Sequence, residues 1–471
     1  MEQARRGGLG LIMALGLGLA AASAEGEDLG EAWRIALAVD QQLQASRNQS
    51  LAAGWDLAAA RSRQYPQLKT FNTPAFLTNP LFPSTAGAGG SGSSGSGSSS
   101  SGAGSQKMFF FSAVTATQPL YTGGQVSNTI RAGQAQVNAA RADEARTALD
   151  LMLDVSFAYL GVLRTNRALQ VVQSNVDNLS SQARDVGNLV REGRSIKNDL
   201  LATQVALANA RQNEVRARND LDNARAAYNR YLGRPLDLVV PLDELAPPPP
   251  TGSGAEKMLA KTAGPPTDPV MGDKGQLNSL IDHALRARPE LAGLSEQARA
   301  LAFQAVAERG ATKPQASFVV ANIYQNSQVI ATPDFGAAAF ILSWTMFDGG
   351  AARRRSMAIK ERENATLHQR SDLASRIALQ VRQAWLAVQE AKLRVDVNRA
   401  SVYQAEENLR VTKSRYLERR AINTEVLDAE NLRVQSYNNY YNSVYDVVQA
   451  DLRLRHDVGD LINSPPAPTN R

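Results

Sequence analysis

The chain has 471 residues, 43% hydrophobic and 6% aromatic, with a formal net charge of +6 and no cysteine. That length could hold two or three ordinary domains, but few aromatics beside abundant Ala, Gln, Asn and Arg in residues 125–463 suit long exposed helices better than one globular core. The positive charge is mild and interleaved with Asp and Glu, which argues against nucleic acid as a partner, and a cysteine-free chain has no disulfide framework and no lipid-bearing cysteine.

Read from its start, the chain opens with an export address. Arg5 and Arg6 precede an apolar run at residues 9–21, and Ala22-Ser23-Ala24 is a small-residue cleavage site, so residues 1–24 read as a signal peptide of the ordinary Sec type. An uncleaved anchor would need about 18 or more apolar residues. A helical stretch, "LGEAWRIALAVDQQLQASRNQ", begins at Leu29, and Tyr65-Pro66-Gln67 starts a strand. Residues 84–105 form a loop whose Gly/Ser composition cannot bury enough apolar surface to order itself. "KMFFFSAVTATQ" then supplies a second strand, and "PLYTGG" is a turn that opens a helix over about residues 125–186, followed by a tip and a second long helix ending at Gly233. Residues 234–276, with Pro247 to Pro250 in a row, read as a linker rather than a third domain.

Residues 277–463 then repeat the first half, leaving a tail at 464–471. A shift of 226 residues carries Gly123-Gly124 onto Gly349-Gly350, Ile196 onto Ile422, Asp199 onto Glu425 and Gly233 onto Gly459. Before the turn the shift is 248, carrying Leu29 onto Leu277 and Pro66 onto Pro314; the difference of 22 is the Gly/Ser insertion in the first half. Ile377, Val381, Ala384, Val388, Ala391 and Val395 alternate spacings of four and three, and so do Leu151, Val155, Ala158, Val162, Thr165 and Leu169. This heptad seam, continuing to Thr412 and Val186, predicts long packed helices in each half. Roughly 62 helical residues span about 90 Å, against a bilayer core of about 30 Å. Such polar helices must cross an aqueous compartment.

The strands are the better membrane candidates. Residues 338–347 alternate, with Phe340, Leu342, Trp344 and Met346 on one side, although "FVVANIYQ" and "KMFFFSAVTATQ" alternate poorly and a small soluble sheet is the other reading. Two halves give four strands, whereas lipid-exposed sheet edges are not tolerated and the smallest bacterial single-chain barrels have about eight. In a membrane, several chains would have to share one barrel.

On these features the chain resembles the TolC-like outer-membrane efflux family, over residues 25–463. The resemblance is carried by the signal peptide, the duplicated helix-strand-strand-helix-helix order, the "PLYTGG" and "TMFDGG" turns, and the tips "REGRSIKNDLLATQ" and "ERRAINTEVLDAENLR". It implies a mainly α fold with membrane β: a homotrimer whose helical hairpins form a periplasmic α-barrel and whose chains each give four strands to one outer-membrane barrel. Tyr121, Gly123, Gly124, Phe347, Gly349 and Gly350 would then sit where strand becomes helix, the tyrosine and phenylalanine in the lipid interface. By the same resemblance Glu425 and Asp428, with Asp199 as their first-half counterpart, line a pore gate. Arg191, Gly193, Arg194, Ser195, Arg419, Arg420 and Thr424 belong to tips that meet a periplasmic adaptor, the membrane fusion protein of an inner-membrane RND or ABC transporter. Two departures stand beside this. Thr424 also reads as an N-cap, which would make the acids helix-starting residues, and Arg419-Arg420 stands where a glycine is common.

The expected function is a passive outer-membrane exit channel of a tripartite efflux or type I secretion system; the alternative is a periplasmic coiled-coil scaffold without a barrel. His283, His368 and His456 read as isolated, and the sequence has no HExxH, GxSxG or P-loop pattern, so neither an enzyme nor a metal or cofactor site is expected.

Overall fold

The computed structural model describes residues 26–76, 108–244, 274–326 and 334–461. The signal peptide, the Gly/Ser loop, residues 245–273 and the tail lie outside them. The first half contains α1 (Leu29–Val39), α2 (Gln41–Ser62), β1 (Gln67–Phe76), β2 (Met108–Tyr121), α3 (Gln125–Arg191) and α4 (Lys197–Tyr231). The second contains α5 (Lys274–Ala287), α6 (Pro289–Gly310), β3 (Gln315–Asn326), β4 (Asp334–Ser343), α7 (Ala351–Leu417) and α8 (Asn423–Val458). The two shifts read from the sequence carry α2 onto α6 and α3 onto α7 end to end. Each of α3 and α7 is one uninterrupted helix of 67 residues, about 100 Å at 1.5 Å per residue. Among the described residues, no helix is long and apolar enough to cross a membrane.

The strands form one antiparallel sheet in the order β1-β2-β3-β4. The hairpin registers repeat as well: Gln67 faces Thr117 in the first, and their shifted equivalents Gln315 and Ser343 face each other in the second. The strand expected over 338–347 ends early, at Ser343. The cause is lateral. In β2 the residues from Gln118 to Tyr121 are held by β3, Gln118 opposite Phe318 and Tyr121 opposite Ala316, whereas among the described residues β4 has no strand on its outer side. Trp344 instead donates its indole N–H to the Thr312 carbonyl at 3.1 Å.

The chain divides into two compact units. One holds the sheet with the adjoining helix ends, Arg47–Asp143 and Ala292–Asp372; the other comprises Met1–Ser46, Glu144–Leu291 and Leu373–Arg471. The core of the second is built where α1 meets α3, α4 and α8. Trp33, Val155, Tyr159, Leu160, Tyr440 and Tyr445 are buried there, and the Trp33 indole donates to the Met152 carbonyl and to Ser156 Oγ, both at 3.0 Å. The heptad seams lie where their spacing puts them: Ile377, Val381, Ala384, Val388 and Ala391 are buried, as are Leu151, Val155, Val162, Leu179 and Val186.

The start of the linker is part of this core. Glu27 forms a parallel bridge with Leu242, its carboxylate is gripped by Arg234 at 2.7 and 3.1 Å, and the Tyr159 hydroxyl donates to the carbonyls of Glu27 and Asp243 at 2.9 and 2.8 Å. A Cβ on Gly26 would fall 2.4 Å from Asp243 Oδ1, so only glycine lets the two segments lie this close.

Candidate functional site at the hairpin tips

Each long hairpin turns through the same backbone. In the first, α3 ends at Arg191, Gly193 has φ 70°, and the Arg194 N–H returns to the Leu189 carbonyl at 2.7 Å. In the second, Arg419 has φ 62° and the Arg420 N–H returns to the Arg415 carbonyl at 2.8 Å. The shift of 226 carries Gly193 onto Arg419, so arginine in place of glycine leaves the turn's form intact. Arg419 is the one non-glycine residue with positive φ among the described residues.

Thr424 is not the N-cap that the sequence suggested. The cap is Ile422, extended at φ −94° and ψ 157°, and α8 has already begun at Asn423. Ile196 caps α4 in the same way. Neither apolar cap supplies an acceptor, and in the second tip the acid does so instead: Glu425 Oε1 accepts from the Ile422 N–H at 3.4 Å, one half of a capping box.

Asp199 and Glu425 are both the third residue of their helices, but their surroundings differ. Asp199 is half-buried and accepts from Ser195 Oγ at 2.8 Å. Its carbonyl accepts from Asn423 Nδ2 at 3.1 Å and from Thr203 Oγ1 at 2.8 Å. Asn423 also donates to Thr203 Oγ1 at 2.9 Å and accepts from Gln182 Nε2 at 3.4 Å, while the Ser195 and Tyr416 hydroxyls lie 3.3 Å apart. The two tips are thus joined by a polar network whose central members, Asn423 and Thr203, are buried. Glu425 and Asp428 are exposed, and their spacing of three puts them on one face of α8.

Sequence reasoning found Ser195 and Asp199 but missed Gln182, Thr203, Tyr416 and Asn423. The available signal was Thr412, a polar residue at the tip end of the seam and buried there, which warned that polar groups are buried near this end. Arg191, Arg194 and Arg420 are exposed and pair locally, with Asn188, Glu192 and Glu418. Exposed pairs of this kind contribute little stability, which leaves these side chains available to a partner.

At the other end of these helices Gly123, Gly124, Gly349 and Gly350 all have positive φ, between 63° and 86°. Tyr121 and Phe347 are exposed beside them. Side-chain caps missed in the sequence complete each junction: Thr122 Oγ1 accepts from the Val126 N–H at 3.3 Å, and Asp348 accepts from the N–H groups of Gly350 and Ala352 at 2.8 and 2.7 Å. Those backbone donors, Ala352 first, hold the Asp348 carboxyl below its ordinary range.

Two of the three histidines are less isolated than their spacing suggested. His283 meets Asp460 at 3.0 Å, and His456 lies between Asp150 and Asp457, both at 3.0 Å, with Arg288 on the far side of Asp457. Burial opposes a charge on His456, but the hydrogen bonds to Asp150 and Asp457 outweigh it and push its pKa up to about 8. Among the described residues no group of three or more His, Cys, Asp or Glu could hold a metal ion.

Residues 77–234 match the family model described as outer membrane efflux protein. Of solved structures, CusC, studied for its folding and transmembrane channel formation, is similar at a TM-score of 0.72 and 15% identity, covering 92% of this chain and 93% of its own. The outer membrane protein VceC of Vibrio cholerae follows at 0.71 and 15%, covering 92% and 96%. The CmeC outer membrane channel of Campylobacter jejuni gives 0.71 and 14%, covering 93% and 86%. A search of curated proteins found no match. At these identities the structural likeness establishes the fold.

Proposed function

We propose that the chain, which matches the outer membrane efflux protein model over residues 77–234 and shares the fold of solved outer-membrane channels, is an outer-membrane efflux channel and the passive exit duct of a tripartite system. In this reading several copies close one barrel, and an adaptor and an inner-membrane pump, of the RND or ABC class, supply the energy.

The observation that carries the proposal is the open sheet. Strands β1 and β4 are its edges, and β4 is exposed along its whole length. In lipid every N–H and C=O on such an edge lacks a partner, at a cost of several kcal/mol for each. With four antiparallel strands the edges run in opposite directions, so β4 of one copy can pair antiparallel with β1 of the next and the ring can close. Three copies, as in the related family, remove every edge.

The tips then form the periplasmic end. Glu425 and Asp428, exposed on one face of α8, become rings of carboxylates that attract cations and repel anions. Asp199, already engaged by Ser195, contributes less. Arg194, Arg419 and Arg420 are the polar contacts offered to the adaptor, with Arg191, Gly193, Ser195 and Thr424 shaping the surface between them.

Fractionation tests this reading. High-salt washing of isolated membranes should leave the chain in the pellet, and detergent should release it as an oligomer. Release by salt alone, as a soluble species, would defeat the proposal and favour a periplasmic scaffold.

A further inference from the structure

The two junctions between strand and long helix share a backbone but not a surface. At the first, Gln118, Pro119, Leu120 and Tyr121 lead toward α3, and Ser127, Asn128 and Thr129 in its first turns donate from their side chains to the carbonyls of Gly124 and Gln125. The shift of 226 puts Trp344, Thr345, Met346 and Phe347 in place of the first four, and Arg353, Arg354 and Arg355 in place of the other three. The fold therefore forms this junction without arginine there, and the three at the start of α7 need another reason.

Their position is unfavourable in itself. A cation in the first turns of a helix faces the positive end of the macrodipole, and the positions three and four residues on carry Ser356, Met357, Ala358 and Ile359, none of them acidic. All three arginines are exposed. Arg355 meets Glu308 at 3.3 Å but is 72% exposed, so that pair holds it weakly. Among the described residues Arg353 and Arg354 meet no carboxylate, and the neighbouring Asp348 is occupied by the N–H groups of Gly350 and Ala352. The end of α6 lies alongside, fixed by Ser356 Oγ donating to the Ala305 carbonyl at 2.9 Å and by the bond from Trp344 to Thr312. It adds two more exposed cations, Arg309 and Lys313. On the strand side of this junction Trp344, Met346 and Phe347 are 56, 77 and 86% exposed. Large apolar side chains next to a cluster of cations suit the boundary between acyl chains and charged headgroups.

We propose that this junction binds anionic phospholipid from the leaflet on the helix side of the membrane, with Trp344, Met346 and Phe347 among the acyl chains and Arg353, Arg354 and Arg355 on the headgroup phosphates. A guanidinium fork matches two phosphate oxygens, and its alkyl stem lies along apolar surface while the head reaches the charge. The phosphates supply the negative charge that the helix start lacks. Because the first junction carries Ser127, Asn128 and Thr129 instead, each copy holds lipid in this way at one of its two crossings from strand to helix. The inference rests on the membrane-barrel reading and adds to it a lipid class and a site.

Lipid binding to the full-length oligomer in detergent tests the site. The protein is incubated with micelles carrying fluorescent phosphatidylglycerol or phosphatidylcholine, and the lipid that stays bound is measured after gel filtration. The native oligomer should prefer phosphatidylglycerol. Arg353→Ser, Arg354→Asn and Arg355→Thr together give the second junction the residues the first already has, so the variant should assemble, and its affinity for phosphatidylglycerol should fall roughly tenfold or more. Arg353→Ser alone, at an exposed and unpaired position, should lower it in smaller measure, and lysine at all three positions should keep the preference. Equal phosphatidylglycerol binding by the native and substituted oligomers would overturn the site. Displacement of the lipid by inorganic phosphate, but not by chloride at equal ionic strength, would show a site for free anions instead of a lipid surface. A variant that keeps its lipid but changes the reversal potential in a planar bilayer would place these arginines in the duct. A chain that high salt alone releases as a soluble species would defeat the barrel reading, whereas an oligomer that needs detergent for release but shows no lipid preference would defeat only the lipid site.

Discussion

Arg419 holds a left-handed backbone that Gly193 adopts at little cost. For a residue with a Cβ this conformation costs roughly 1–2 kcal/mol, partly offset by the smaller entropy an arginine loses on folding compared with glycine. Arg419→Gly should therefore leave the protein as stable as before or up to about 1 kcal/mol more stable, and Gly193→Val should destabilise it by about 1–2 kcal/mol. Denaturant unfolding checks both; a large loss from Arg419→Gly would mean that the guanidinium itself holds the tip. His456 gives a pH-dependent prediction. Its folded pKa, about 8, lies above its unfolded value of about 6.5, so its contribution is complete below about pH 6.5 and is lost as the pH rises through 8. Asp150, lowered chiefly by its hydrogen bond to His456, acts at the other end, losing its contribution as the pH falls through its depressed pKa. His456→Gln should cost on the order of 2 kcal/mol at pH 6 and little at pH 9. Unfolding midpoints that drop equally at both pH values would show that the imidazolium is not what binds Asp150 and Asp457. Neither residue's role was legible in the sequence. A backbone angle leaves no periodic trace, and the partners of His456 include Asp150, which is 306 residues away.

The helices were the most legible elements, because a heptad seam is a local pattern that burial then enforces. Val162 and Val388 lie in it and are buried. Replacing either by Asp would bury an unpaired carboxylate at a cost of several kcal/mol, and the expected result is loss of the oligomer on a native gel. A stable, assembled Val388→Asp protein would mean that this helix face tolerates water. The segment at residues 234–244 was illegible for the opposite reason. Read as linker from its composition, it is fixed by contacts with Glu27 and Tyr159 that no spacing rule announces. The Glu27 side chain is 6% exposed and that of Arg234 is 23%, so Arg234→Ala strands a buried carboxylate and should cost about 3 kcal/mol. A midpoint shift indistinguishable from zero would mean that Glu27 finds water or another donor. The end of β4 was misread because alternation continues past Ser343, while among the described residues no strand lies on the outer side of β4 to hold residues 344–347.

At the scale of the molecule, the sequence revealed the duplication and the four strands, since both follow from offsets and counting. It could not reveal which polar groups join the hairpins. Gln182, Thr203, Tyr416 and Asn423 come together only through tertiary packing, and their spacing in the chain resembles that of ordinary helix residues. In the proposed function, copies of this chain close a water-filled duct with Glu425 and Asp428 around its periplasmic mouth. The most direct test is the reversal potential of detergent-purified oligomers in a planar bilayer under a salt gradient, for the native protein and for the double change Glu425→Ala with Asp428→Ala. The predicted result is a conductance selective for cations over anions whose reversal potential moves toward zero in the variant. Oligomers that insert but pass no current would contradict the duct, and identical reversal potentials in the two proteins would contradict the place given to these acids.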